Sequence, residues 1–224
     1  MRLRRNRMGE AMLPEMPGVL PPDPDAGRKD LAAFLDGGYP VHLEIGAGKG
    51  DFIVEMAVLH RDTGFIAVER ALTVLYAAAG KNQDSPLPNL RFLPADARDL
   101  ELYFAPGSLE RIYLNFSDPW PKQRHRERRL TDAGMLAIYS RLLKPGGQIH
   151  LKTDQEAFFD YSLGLLIRDG WSVGKITRDL HRSGFEGNVF TEYERRFLRQ
   201  GQAIYRLEAW NDRRGKARRP WAEG

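Results

Sequence analysis

The chain has 224 residues, 25.5 kDa, 42% of them apolar, enough for one substantial core and too little for two full domains. It has no cysteine, which excludes disulfides, thiolate zinc sites and a cysteine nucleophile. Its net charge of +4 hides an uneven distribution: residues 1–7, 122–129 and 213–219 together carry 14 Lys+Arg against one acid, Glu127, so the remaining chain stands at −9. Cations gathered in three patches on an acidic body suit a polyanionic partner gripped at chosen places.

In chain order, residues 1–38 join an Arg-rich start to Pro14, Pro17, Pro21, Pro22 and Pro24, which deny a long helix before about Asp30. They read as an arm. Residues 39–210 alternate short apolar runs with amphipathic stretches, the pattern of a largely parallel sheet flanked by helices. Strands are predicted over Val41–Ile45, Phe65–Val68, Leu90–Pro94, Arg111–Phe116, Gln148–Lys152, Trp171–Thr177 and Ala203–Glu208, and helices over Phe52–His60, Leu72–Lys81, Asp132–Leu143 and Glu156–Arg168. Leu143-Lys144-Pro145-Gly146-Gly147 supplies a helix stop and a turn. Residues 211–224 are too polar and basic to pack and read as a tail. The whole is an α/β, doubly wound, seven-stranded sheet. The five histidines never fall at i, i+4 spacing, so no metal site is expected. No apolar run approaches the ~18 residues of a membrane span, and the reading is of a soluble, cytoplasmic protein without a membrane partner.

The loop Glu44-Ile45-Gly46-Ala47-Gly48-Lys49-Gly50 follows the first strand and opens a helix, where a doubly wound sheet places its ligand. A Walker loop needs Ser or Thr after the lysine and an upstream glycine, but Gly50 and Leu43 stand there. A dinucleotide loop wants glycine at position 51, and the residue is Asp51. What remains is a Gly46-x-Gly48-x-Gly50 loop with carboxylates at three successive strand ends, Glu44, Glu69 and Asp96. Acids here repel a pyrophosphate and suit a cationic ligand. S-adenosylmethionine matches, with a sulfonium, an ammonium, a ribose diol for Glu69 and an adenine amine for Asp96.

The fourth strand runs into Asn115-Phe116-Ser117-Asp118-Pro119-Trp120-Pro121-Lys122, then Gln123-Arg124-His125-Arg126-Glu127-Arg128-Arg129. Two prolines around a tryptophan stiffen the strand exit and hold Asp118 at the carboxyl edge of the sheet. The basic run supplies phosphate contacts, spread over more than one face if it is helical.

With Met1–Arg7, Glu44–Gly50, Leu114–Lys122, Lys152-Thr153-Asp154, Phe185–Val189 and Thr191–Glu194 taken together, the sequence resembles the bacterial tRNA (guanine-N7)-methyltransferases over about Met1 to Trp210. The resemblance implies a Rossmann-like methyltransferase sheet with an antiparallel last strand, S-adenosylmethionine as cofactor, tRNA as partner, and 7-methylguanosine at position 46 of the variable loop as product. It implies cofactor contacts from Glu44, Gly46, Gly48, Gly50, Glu69, Asp96, Ala97 and Asp118. Asp118 is the candidate catalytic residue, either offsetting the positive charge that grows on the imidazole ring or holding the base by its N1 and amino hydrogens, for which Asp154 and Glu194 are the other candidates. Lys122, Asp154, Thr191, Glu192, Tyr193 and Glu194 fall on the guanosine side, and Arg124, His125, Arg126, Arg128 and Arg129 on the RNA. Gln123 stands where the family usually has a second lysine. Taken alone, Thr191–Glu194 reads as a polar loop before the last strand. Two other functions stay open: methylation of an exocyclic amine, although Pro119-Trp120-Pro121 breaks the Pro-Pro-aromatic order such enzymes use, and tRNA binding without catalysis. A monomer and a homodimer are both compatible with the sequence.

Overall fold

A computed structural model describes residues 5–35 and 37–212; residues 1–4 of the first basic patch and all of the third lie outside the described residues. One seven-stranded sheet organises the chain, in the order β3-β2-β1-β4-β5-β7-β6. Its strands are β1 (Val41–Ile45), β2 (Gly64–Val68), β3 (Leu90–Leu93), β4 (Leu109–Asn115), β5 (Leu143–Thr153), β6 (Ser172–Thr177) and β7 (Tyr205–Trp210). The first five are parallel, and β7 runs antiparallel between β5 and β6.

The central strands are buried on both faces because helices cover both. β1 and β2 are buried at every residue. Leu43, Ile66 and Ile112 face one core, with α5 (Leu100–Tyr103), α6 (Ala133–Leu142) and α7 (Glu156–Arg168); Phe65, Ala67 and Phe92 face the other, with α3 (Asp51–Leu59) and α4 (Leu72–Gly80). A side-chain lock ties α3 to the sheet. Asn89 Nδ2 lies 3.0 Å from each of the Ala57, His60 and Thr63 carbonyls, so two hydrogens serve three acceptors.

The N-terminal arm is more ordered than its prolines suggest. It forms α1 (Arg7–Met12), a short 3₁₀ turn, and α2 (Pro24–Leu35), which begins six residues before the expected point because Pro24 occupies the first helical position, where its missing N–H costs nothing. Leu13 and Met16 join one core and Leu20 and Leu31 the other, so the arm wraps around the edge of β3. There the Leu20 N–H donates to the Phe92 carbonyl and the Phe92 N–H to that of Gly18, both at 2.9 Å, which closes an otherwise open edge. At the other edge, a register shift between Gly174 and Thr177, with Lys175 at φ 47°, interrupts β6.

Further boundaries differ from expectation: β4 begins two residues early, at Leu109, and β7 lies two residues later, over Tyr205–Trp210. β5 begins at Leu143, five residues early: Leu143 pairs with Leu109, and the Gly146–Gly147 turn is held by backbone bonds to Asn211. Residues 192–199 form α8 (Glu192–Arg199). Asn89→Ala should remove the donor shared by three carbonyls, two of them at buried bonds, and lower stability by about 2–3 kcal/mol. Urea denaturation measures this, and a wild-type midpoint would show that the lock is dispensable.

Candidate active site

The carboxyl ends of β1, β2, β3 and β4 open onto a groove of ≈ 1690 Å³. The glycine loop forms its floor. Gly48 (φ 57°) has open space where a Cβ would stand, whereas at Gly50 (φ 76°) a Cβ would lie 2.9 Å from that of Ala78. The first lets a ligand approach the backbone; the second lets α3 start against α4.

Glu44 is buried at the end of β1, 3% exposed. Asn115 Nδ2 donates to its Oε1 at 2.9 Å, but Glu44 Oε2, Asn115 Oδ1 and Ser117 Oγ have no partner among the described residues. Burial pushes the Glu44 carboxyl up to about 8, against the opposing effects of Asn115 and then Lys152. Buried acceptors without donors are costly, and three in one place call for a ligand rich in donors and positive charge. Glu69 accepts from the Gly48 and Ala71 N–H groups at 3.3 and 2.9 Å, which fixes its carboxylate against the loop. Asp96 caps the 3₁₀ turn that begins at Ala97, accepting from the Arg98 N–H at 3.0 Å. These residues fit S-adenosylmethionine: an ammonium for the partnerless acceptors, a diol for Glu69 and an amine for Asp96.

Asp118 is exposed at the groove wall, held by a strained strand exit in which Phe116 (φ 50°) and Trp120 (φ 41°) both adopt left-handed backbone. Arg129 secures that exit. It is 7% exposed, donates to the Pro119 carbonyl at 3.0 Å and the Trp120 carbonyl at 2.9 Å, and lies over the Tyr161 ring. This corrects its assignment to the RNA: the turn's carbonyls use the guanidinium. The rest of the basic run is a 3₁₀ helix, Gln123–Arg128, with no buried residue. Arg124, Arg126 and Arg128 are exposed, Arg128 over the Trp120 ring, and His125 is half-buried edge-on to the same ring.

The residues expected on the guanosine side separate. Thr191, Glu192 and Tyr193 border the groove. Lys122, which precedes the 3₁₀ helix, and Asp154, which accepts from Gln202, are not in its lining. Glu194 is fully buried behind it, and the structure therefore takes it away from direct base contact. Its Oε2 accepts from Lys152 Nζ at 3.0 Å, and the same ammonium donates to Asn188 Oδ1 at 2.6 Å and the Val189 carbonyl at 2.9 Å. Burial pulls the lysine below its ordinary range, opposed by Glu194. This latch ties β5 to the segment that delivers Thr191 and Tyr193. The site also needs Asn115, Ser117 and Lys152, which carried no separate role in the sequence reading. The signal for Lys152 is a lysine in a strand interior, and for α8 it is Thr191-x-x-Glu194, a capping pattern in which Thr191 accepts from the Glu194 N–H at 2.9 Å.

Fold and site define a Rossmann-like methyltransferase. The structure resembles the antibiotic-resistance methyltransferase Kmr (TM-score 0.59, 22% identity, 82% of this chain and 92% of that one). It also resembles a 16S rRNA (adenine(1408)-N(1))-methyltransferase of Catenulisporales acidiphilia, solved with cosubstrate SAM (TM-score 0.59, 17% identity, 88% of this chain and 94% of that one). A family model described as putative methyltransferase matches residues 38–207. The tRNA (guanine-N(7)-)-methyltransferase of Geobacillus thermodenitrificans is 49% identical over 93% of this chain and 97% of its own length, and that of Enterococcus faecalis 43% over 92% and 96%. The chain belongs to the tRNA (guanine-N7)-methyltransferase family.

Lys152→Met should lower stability by about 3 kcal/mol, because it leaves the buried Glu194 carboxylate without its lysine counter-ion, with only His181 at 3.6 Å nearby. Adding Glu194→Gln should recover part of that loss in urea denaturation. Additive losses would show that the two residues do not act as a pair.

Proposed function

We propose that this chain transfers a methyl group from S-adenosylmethionine to N7 of guanine 46 in the variable loop of tRNA, in the cytoplasm. The observation that carries the reading is the set of partnerless acceptors on Glu44, Asn115 and Ser117, beneath a groove bordered by arginines, in a chain of this family. Position 46 follows from the resemblance of the 114–122 and 185–194 motifs.

S-adenosylmethionine supplies a methyl on a positive sulfur, which keeps the electron pair of the breaking C–S bond as the N7 lone pair forms the new bond. Because that lone pair lies in the plane of the base and is free, no residue has to remove a proton first. The protein's work is positioning. Glu44 and Asn115 take the ammonium, the Gly48 backbone allows close approach, and Glu69 takes the ribose. Asp118 faces the groove where the guanine enters and offsets the positive charge that grows on its imidazole ring. It does so from a turn fixed by Arg129. The target base must leave its stack to reach this depth. Arg124, Arg126 and Arg128 hold the phosphates, with Lys122 beside them. The Pro119-Trp120-Pro121 order, in place of the Pro-Pro-aromatic order of amine methyltransferases, favours N7 over an exocyclic amine.

Labelled S-adenosylmethionine with unmodified tRNA transcripts tests this directly. Label should enter a transcript with guanosine at 46 and not one with adenosine there, and Asp118→Ala should reduce incorporation at least ~100-fold with an unchanged circular dichroism spectrum. Equal labelling of both transcripts would sink the position.

Glu44 adds a pH signature. Its folded pKa of about 8 stands above the ordinary 4.5, so between these values the folded chain keeps a proton that the unfolded chain loses, and this contribution to stability falls as pH rises. A cation at Oε2 reverses the preference. Cofactor binding at pH 6.5 should therefore release a proton from the wild type and less from Glu44→Gln. Calorimetry in two buffers of different ionisation enthalpy reads the difference, and identical release would remove Glu44 from the ammonium site.

A further inference from the structure

The outer side of α8 carries cations that neither the fold nor the cofactor site uses. Glu192, Arg195, Arg196 and Arg199 recur at helical spacing and all border the groove. Two of them are engaged: Glu192 accepts from Lys49 of the glycine loop at 2.8 Å, and Arg195 pairs with Glu55 of α3 at 3.3 Å. Those pairs, with the buried Lys152–Glu194 latch behind them, fasten the helix over the cofactor loop. Arg196 and Arg199 are exposed and have no carboxylate partner among the described residues. Beside them Tyr193 stacks on Phe116 with ring centres 6.3 Å apart, and Phe197 lies 5.8 Å from the same ring.

Unpaired arginines next to accessible aromatic rings, at the mouth of a groove with an acidic floor, match a single-stranded nucleic acid: phosphates for the guanidinium groups and base faces for the rings. We infer that α8 is a second RNA-gripping element, in which Arg196 and Arg199 hold the backbone phosphates flanking the target guanosine while the Gln123–Arg128 ridge holds others. The inference rests on the tRNA reading above. Both arginines also lie in the last helical turn, where any cation favours the helix dipole. A dipole role shifts the melting temperature and leaves RNA binding alone, so the two roles have different readouts.

The measurement is tRNA affinity by fluorescence anisotropy between 50 and 200 mM KCl, with melting temperature and S-adenosylmethionine affinity taken on the same samples. Arg196→Gln with Arg199→Gln should weaken binding about tenfold at 100 mM salt and reduce the slope of log Kd against log[KCl] by about 1.4–1.8, two phosphate contacts' worth. Arg196→Lys with Arg199→Lys should keep most of the slope, since lysine also neutralises phosphate. Arg124→Gln with Arg126→Gln should lower the slope independently. If the ridge variant lowers it and the α8 glutamine variant does not, the α8 inference is overturned and the tRNA reading stands. If the glutamine variant lowers the melting temperature and leaves the slope unchanged, while the lysine variant keeps the wild-type melting temperature, the arginines serve the helix dipole and the inference is overturned as well. A wild-type protein with no salt-dependent tRNA binding would instead overturn the tRNA reading itself.

Discussion

A carboxylate buried at the end of a central parallel strand is unfavourable unless something positive meets it, and Glu44 is in that position with one oxygen bonded and one not. Much of the molecule can be understood as the framework that makes this tolerable. The sheet brings Asn115 from the neighbouring strand to the bonded oxygen, and Lys152 from the next strand lends positive potential without touching the carboxylate. The lysine is itself committed to Glu194, Asn188 and the Val189 carbonyl. It therefore cannot collapse onto Glu44 and close the site. A free lysine in its place would be the simplest internal counter-ion and the simplest way to exclude a cationic ligand.

The same economy governs the strand exit after Asn115. Two non-glycine residues in left-handed backbone cost of order 1–3 kcal/mol each, and such geometry persists only where the surroundings fix it. Arg129 provides that by binding two successive carbonyls of the turn and stacking on Tyr161. The result is a strand exit of defined backbone shape that places Asp118 at the groove wall. An Arg in a basic run can thus be a structural member while its neighbours Arg124, Arg126 and Arg128 remain on the surface.

What could be read in the sequence follows from whether the signal is local. Strands β1 and β2 are buried along their whole length because both faces are covered, and the glycine loop and its acids sit at fixed distances from them; all of that is written in a few consecutive residues. What is not legible concerns contacts between distant segments. Nothing near Gly146 says that Asn211 will hold it in the sheet, so the sequence pattern starts β5 at Gln148. Arg129 and Arg128 are indistinguishable in a list of residues, and only the carbonyls of Pro119 and Trp120 separate them. Glu194 belongs to a polar stretch, and its burial depends on a lysine 42 positions earlier. α8 is a case of the reverse kind: its Thr191-x-x-Glu194 capping pattern is local, but the helix that follows is short and mostly charged, with only Tyr193 and Phe197 as an aromatic pair on one face.

Charge distribution then acquires a geometry that net charge conceals. The acids Glu44, Glu69, Asp96 and Asp118 stand in or beside the groove floor and wall, and the unpaired arginines stand on elements at its border. Placed the other way round, the arginines would repel a cationic cofactor and the acids would repel RNA. At physiological salt the potential of an exposed charge decays over about 8 Å, so rim charges act on phosphates close to them, while the buried Glu44 is screened far less and attracts a cationic ligand that displaces its proton. Two ligands of opposite sign can therefore be held within one groove without either cancelling the other's attraction. The mixture of strongly basic patches and an acidic body is what this arrangement requires of the sequence.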